Sequence, residues 1–179
     1  MAGTVLQYVI TPPGRFIARS TDDLIAAVRH VIGIRADWTR NAELVADQLR
    51  AYLPGPDILT PEQQHGDPDG PAGHVLHVEL DGTFSILGLV WRPGQSTRIH
   101  DHITWCVAGV LQGVEHEDLY DDELNLVGTR ENPAGEVSGF APPGDIHRIR
   151  NTGPRTAISL HIYGTDITRT GSSARRYYN

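Results

Sequence analysis

Between residues 74 and 163 the chain is a succession of short β-type runs, each closed by a turn. The runs fall at 74–80, 83–91, 104–111, 114–120, 124–129, 136–140, 146–150 and 156–163. Asp81-Gly82, Pro93-Gly94, Gly113, Asp121-Asp122, Pro133, Pro142-Pro143-Gly144 and Gly153-Pro154 punctuate them. Strands this short cannot build a large open sheet, so they point to a sandwich or a small closed barrel.

The first third reads differently. Ser20-Thr21-Asp22-Asp23 offers capping oxygens ahead of Leu24, Ile25, Val28, Val31 and Ile32, which recur at helical spacing up to Gly33. A second amphipathic stretch opens near Asn41, carries Leu44, Val45, Leu49, Tyr52 and Leu53, and stops at Pro54-Gly55-Pro56. Residues 54–73, rich in Pro, Gly, Asp and Gln, read as a surface loop. The 179 residues suit one domain: a helical lead-in over about 15–53, the loop, a β-barrel over about 74–163 and a tail over 164–179.

Composition removes several function classes. A formal charge of -7 argues against a general nucleic-acid or anionic-membrane surface. All 15 basic residues are Arg, which excludes Schiff-base chemistry and a P-loop lysine on this chain. No run approaches the roughly 20 apolar residues of a spanning helix. Met1-Ala2-Gly3-Thr4 shows no secretory signal, so a cytoplasmic location is expected. The single cysteine rules out an internal disulfide.

The chemistry concentrates in Gly94-Gln95-Ser96-Thr97-Arg98-Ile99-His100-Asp101-His102. In a strand, residues two apart point the same way, so His100 and His102 can share one metal ion. An isolated pair of this kind can equally be two ordinary polar side chains. His147, after the Pro142-Pro143-Gly144 turn, is the candidate third imidazole. The spacing G-x5-H-x-H-x3-C-x6-G from Gly94 to Gly113, followed by Pro143-Gly144-x2-His147, resembles the two cupin motifs. Cys106 stands where many cupins carry a ligating Glu. Three neutral imidazoles leave a divalent ion its full charge, which favours anionic ligands such as a thiolate. The same triad also fits zinc hydrolytic chemistry.

Ser159, His161 and Tyr163 alternate with Leu160 and Ile162, so the three polar groups project from one face of a strand. They are either one wet face of a sheet or, beside a metal, a hydrogen-bonded series that presents the Tyr163 hydroxyl to bound oxygen or substrate.

His100-Asp101-His102, Gly144-Asp145-Ile146-His147-Arg148 and Ser159-x-His161-x-Tyr163 together resemble the thiol dioxygenase family of cupins. The resemblance implies a cupin barrel with an N-terminal helical layer and a non-haem Fe(II) held by His100, His102 and His147. It also implies conversion of a small thiol and O2 to a sulfinate. In mammalian-type cysteine dioxygenases a cysteine at the place of Cys106 crosslinks to the tyrosine, so a Cys106–Tyr163 thioether is one reading; a small buried apolar residue is the other. His102-Ile103-Thr104-Trp105 and Tyr163-Gly164 are more similar to bacterial 3-mercaptopropionate dioxygenases. The carboxylate-clamping Arg of cysteine dioxygenases aligns with His74 or Val75. The Arg-Arg pair of the mercaptopropionate enzymes aligns with Arg175-Arg176, which makes Arg176 the expected substrate clamp. Another metal-dependent cupin enzyme acting on a different substrate, or a non-catalytic cupin binding a small ligand, remains the alternative. Trp91 and Trp38 read as packing residues, His77 and His116 as able to face the cavity, Glu115 and Glu117 as solvent-facing. His30 and His65 carry no partner pattern.

Overall fold

The computed structural model describes residues 7–9 and 19–178. Its helices are α1 (Arg19–Ile32), α2 (Trp38–Ala51), α3 (Pro61–Gln64) and α4 (Ile167–Thr170). The early strands are β1 (Gln7–Val9), β2 (Ala72–Val78), β3 (Ser85–Trp91), β4 (Ile99–His102), β5 (Cys106–Gln112) and β6 (Val114–Tyr120). The later ones are β7 (Leu126–Pro133), β8 (Val137–Phe140), β9 (His147–Arg150), β10 (Ala157–Tyr163) and β11 (Ala174–Tyr178).

One sheet has the order β1-β2-β3-β10-β5-β8 and the other β11-β4-β9-β6-β7. All pairings are antiparallel except β1 with β2. Late strands lying between early ones in both sheets make this the jelly-roll barrel of the cupin type, mainly β with helices added at the N-terminal side.

The central strands β3 and β10 of the six-stranded sheet are buried on both faces, which is why Ser85–Trp91 reads as an almost unbroken apolar run. Ile86, Val90, Val107, Ile158, Leu160 and Ile162 point outward and form one core with Leu24, Val28, Val45 and Leu49 of α1 and α2. Leu87, Leu89, Trp91, Cys106, Ala157 and Tyr163 point inward and meet Ile149 of the second sheet. Gly109 lets α2 approach: a Cβ there would lie 2.7 Å from Leu53 and 2.9 Å from Leu49. Burying one Leu side chain on this face is worth roughly 1.5–3 kcal/mol.

Several boundaries move from those the sequence suggests. Helix α1 already includes Ser20 and Thr21, and Thr21 is buried in its first turn with its hydroxyl unpartnered, so Thr21 does not cap it. Helix α2 starts at Trp38 rather than near Asn41, because the Asp37 carboxylate accepts the Arg40 backbone N–H at 2.9 Å. Trp38 is 48% exposed and is not a packing residue. The 54–73 segment is more than a surface loop. A 3-10 turn at Pro56–Ile58 and the α3 capping box of Thr60 and Gln63 hold Leu59 at 1% exposure against Gly88. The tail contributes α4 and β11, and β11 pairs with the His-x-His strand β4. No described helix is long and apolar enough to cross a membrane.

Candidate metal centre

Strand β4 supplies His100 and His102 on its inner face, and in the next strand His147 lies directly opposite His100. The ring centroids are 4.9 Å apart for His100 and His102, 4.7 Å for His100 and His147, and 5.0 Å for His102 and His147. One nitrogen from each lies within 4.8 Å of the others, and all three residues are buried.

The outer nitrogens fix how this cluster can bind. His100 Nδ1 meets the Arg98 carbonyl at 2.9 Å, His102 Nδ1 meets Asp145 Oδ2 at 3.0 Å, and His147 Nδ1 meets Glu117 Oε1 at 2.7 Å. A carbonyl and two carboxylates are acceptors, so each Nδ1 carries the proton and each Nε2 lone pair is free for a metal. Burial, with the neighbouring imidazoles, pushes His100 and His102 well below the usual histidine range, so both are neutral and competent to ligate. Asp145 also accepts the His102 backbone N–H at 2.9 Å, which ties the ligand strand to the turn before His147. Burial raises Asp145; in Glu117 burial acts the same way but is outweighed by His147, Arg130 and Asn132 together, which lower it. The donor set therefore fits a divalent ion held by three neutral imidazoles. Two carboxylates one bond further out temper the charge that the ligands leave uncompensated.

Ser159, His161 and Tyr163 project inward from β10 and are not a wet face: all are at most 5% exposed. Trp91 Nε1 donates to Ser159 Oγ at 3.2 Å, Ser159 Oγ meets His161 Nε2 at 3.1 Å, and His161 Nδ1 meets the Tyr163 hydroxyl at 3.1 Å. The Tyr163 ring stacks near His102, with centroids 6.2 Å apart. His100, His102, His147, His161 and Tyr163 line one cavity of about 30 Å³, measured as the space open to the centre of a water molecule. Ser172, Ser173, Ala174 and Tyr177 of the tail close it. Cys106 sits opposite Tyr163 in register, its Sγ 3.9 Å from His161 Nδ1, and burial pushes its thiol well up.

Two expected substrate contacts are not brought to this cavity. A bulge in β11 between Ala174 and Arg176 turns both Arg175 and Arg176 onto Asp101. Arg176 Nε donates to Asp101 Oδ2 at 3.0 Å, its side chain is 56% exposed, and it is not among the residues that line the cavity. Its neighbours Ala174 and Tyr177 take the inward positions. Asp101 is buried, yet hydrogen bonds from Arg175, Arg176 and Tyr178 outweigh that burial and hold it well below the usual carboxylate range. His74 opens instead toward Gln63 and Asp67 on the far side of β2. His77 packs on Phe84 and meets Glu79, and His116 meets Glu131 and Thr152 at the surface, so neither faces the metal cavity.

Glu115 and Glu117 are each 2% exposed and point into the barrel, contrary to their solvent-facing reading. The alternation of β6 could have revealed this, since Val114, His116 and Asp118 occupy the other face; the unbroken polar run Glu115-His116-Glu117-Asp118 masked it. Trp105 and Gly164, which carried the subfamily likeness, touch each other: Gly164 N donates to the Trp105 carbonyl at 3.1 Å, and a Cβ on Gly164 would collide with the indole.

No family model matches the chain. Among solved structures it is similar to a double-stranded beta-helix protein from Klebsiella pneumoniae subsp. pneumoniae MGH 78578, at 18% identity and TM-score 0.47 over 56% of this chain and 81% of that one. It is also similar to an oxalate oxidase bound to glycolate, at 19% identity and TM-score 0.46 over 56% of this chain and 53% of that one. A third is the Cupin_2 domain of an XRE family transcriptional regulator from Enterobacter cloacae, at 18% identity and TM-score 0.41 over 52% of this chain and 94% of that one.

Proposed function

We propose that the protein is a non-haem Fe(II) thiol dioxygenase that converts a small thiol carboxylate, 3-mercaptopropionate or L-cysteine, and O2 to the sulfinic acid. The supporting observation is that a three-imidazole cluster with free Nε2 atoms shares one small cavity with the Ser159–His161–Tyr163 row. His100, His102 and His147 would hold the iron, which would supply thiolate binding and dioxygen activation.

The chain's own residues then do three things. Neutral ligands with no carboxylate among them favour the thiolate over the thiol. The cavity is small and walled by Leu89, Trp91 and Ile149, which limits the substrate to a few heavy atoms and excludes bulk water. Tyr163, held by His161, presents its hydroxyl to the reacting atoms. For the substrate carboxylate the tail offers Ser172 and Tyr177, hydrogen-bonded to each other at 3.2 Å, with the Arg98 guanidinium 5.0 Å over the Tyr177 ring.

Oxygen uptake by the Fe(II)-loaded protein with 3-mercaptopropionate and, separately, with L-cysteine tests the reading, with sulfinate followed by mass spectrometry. Sulfinate from either thiol is the expected result. Bound iron with no sulfinate from either would overturn it and move the search to thiol-free substrates.

A further inference from the structure

Behind the Ser159–His161–Tyr163 row lies a second small cavity of about 10 Å³, lined by Glu115, Glu117, Ser138, His147 and His161 among others. Glu115 is 2% exposed and its Oε1 is buried with no hydrogen-bond partner. Its carboxyl lies beside Ser159 and Trp91, the end of the hydrogen-bonded row farthest from Tyr163. None of the roles given above to the metal ligands or to Tyr163 uses it.

The valences along the row make Glu115 consequential. Trp91 Nε1 can only donate, and Ser159 has a single proton to give. His161 is neutral, since burial, with His147 nearby, lowers it to about 3, so one of its nitrogens donates and the other accepts. When Glu115 is ionised it is an acceptor, and the Ser159 proton goes to it. Ser159 then accepts from Trp91 and from His161 Nε2–H, which leaves His161 Nδ1 as an acceptor for the Tyr163 proton. When Glu115 is protonated it is a weaker acceptor and a new donor. Ser159 then gives its proton to His161 Nε2, His161 Nδ1–H donates to the Tyr163 oxygen, and the Tyr163 proton is released to another acceptor, the Cys106 sulfur or a ligand in the cavity.

We propose that Glu115 is a positioning residue that sets the direction of the Trp91–Ser159–His161–Tyr163 hydrogen-bond chain, and with it whether Tyr163 gives its proton to His161 or to another acceptor. The catalytic consequence rests on the proposed dioxygenase reading; the switch itself does not. Burial pushes Glu115 up to about 7, Ser159 and Trp91 pull it down, and Glu117 on the same strand pushes it up. The other titratable groups around it are His161 on β10, His147 on β9, Cys106 on β5 and Glu136 ahead of β8.

The test is the ring nitrogen spectrum of His161 in the full chain from about pH 6 to 8.5, metal-free and again with diamagnetic Zn(II), the signals being assigned through His161→Gln. The expected result is Nδ1–H at the acid end and Nε2–H at the alkaline end, crossing near pH 7, with no crossing in Glu115→Gln. An unchanged tautomer in the wild-type protein, or the same crossing in Glu115→Gln, would overturn the inference. Thiol oxidation is assayed on the same samples. A crossing without sulfinate leaves the switch standing and removes only its catalytic consequence; sulfinate without a crossing removes the switch and leaves the dioxygenase.

Discussion

Strand β10 divides the molecule. On one face Ile158, Leu160 and Ile162 lock into the helices; on the other, one residue out of step, Ser159, His161 and Tyr163 point into the barrel, where His161 and Tyr163 line the cavity of the metal cluster. Both faces are equally dry. They differ in what replaces water: dispersion contacts on the helix face, a complete series of hydrogen bonds on the barrel face. An alternating strand is usually read as apolar side in and polar side out. Here the polar side is the interior, because helices cover the outer face.

That comparison can be broken from either side. The largest effect is expected from Leu160→Ala, which opens a void under the helices. It should cost roughly 2–5 kcal/mol in denaturant unfolding while metal stoichiometry stays at the wild-type value. A parallel loss of metal would show that the two faces are coupled.

Glu115→Gln probes the barrel face by charge. Because the folded group titrates about 7, above an ordinary glutamate, its stability contribution is full below about pH 4.5 and is lost as pH rises toward 7. The variant should therefore be more stable than the wild type at pH 8, by on the order of 3 kcal/mol, and little different at pH 4, as read from unfolding midpoints. Equal stability at both values would mean that the carboxyl is not held neutral by burial.

Glu117→Gln keeps the volume but weakens the acceptor that orients His147, and metal affinity should fall about 10- to 100-fold by competition with a chelator. The smallest change is expected from Arg176→Ala. Arg175 and Tyr178 still serve Asp101, so stability should drop by less than about 1 kcal/mol. Thiol kcat/KM should stay within about twofold; a large rise in KM would restore Arg176 as the clamp.

Much of the barrel was legible because its signals are local. Asp-Gly and Pro-Gly turns, strand alternation and the His-x-His spacing each depend on a few neighbouring residues, and 114–120 matches β6 to the residue. The tail was not legible: β11 has no periodicity of its own and exists through pairing with β4, and its bulge put two consecutive arginines on one side. Glu115, Glu117 and Asp145 were missed as parts of the site for a related reason. A charged residue on a strand looks solvated until the fold brings the histidine or serine that compensates it.

By itself, the sequence determined most of the strands between residues 74 and 163, the helical lead-in and the histidines that meet, since residue spacing and turn chemistry act over one or two turns of chain. Only the tertiary structure decided which face of each strand became the interior, which carboxylates orient the ligands and where the terminal arginines point. Those outcomes depend on pairings between strands far apart in sequence, and a single bulge or a covering helix reverses them.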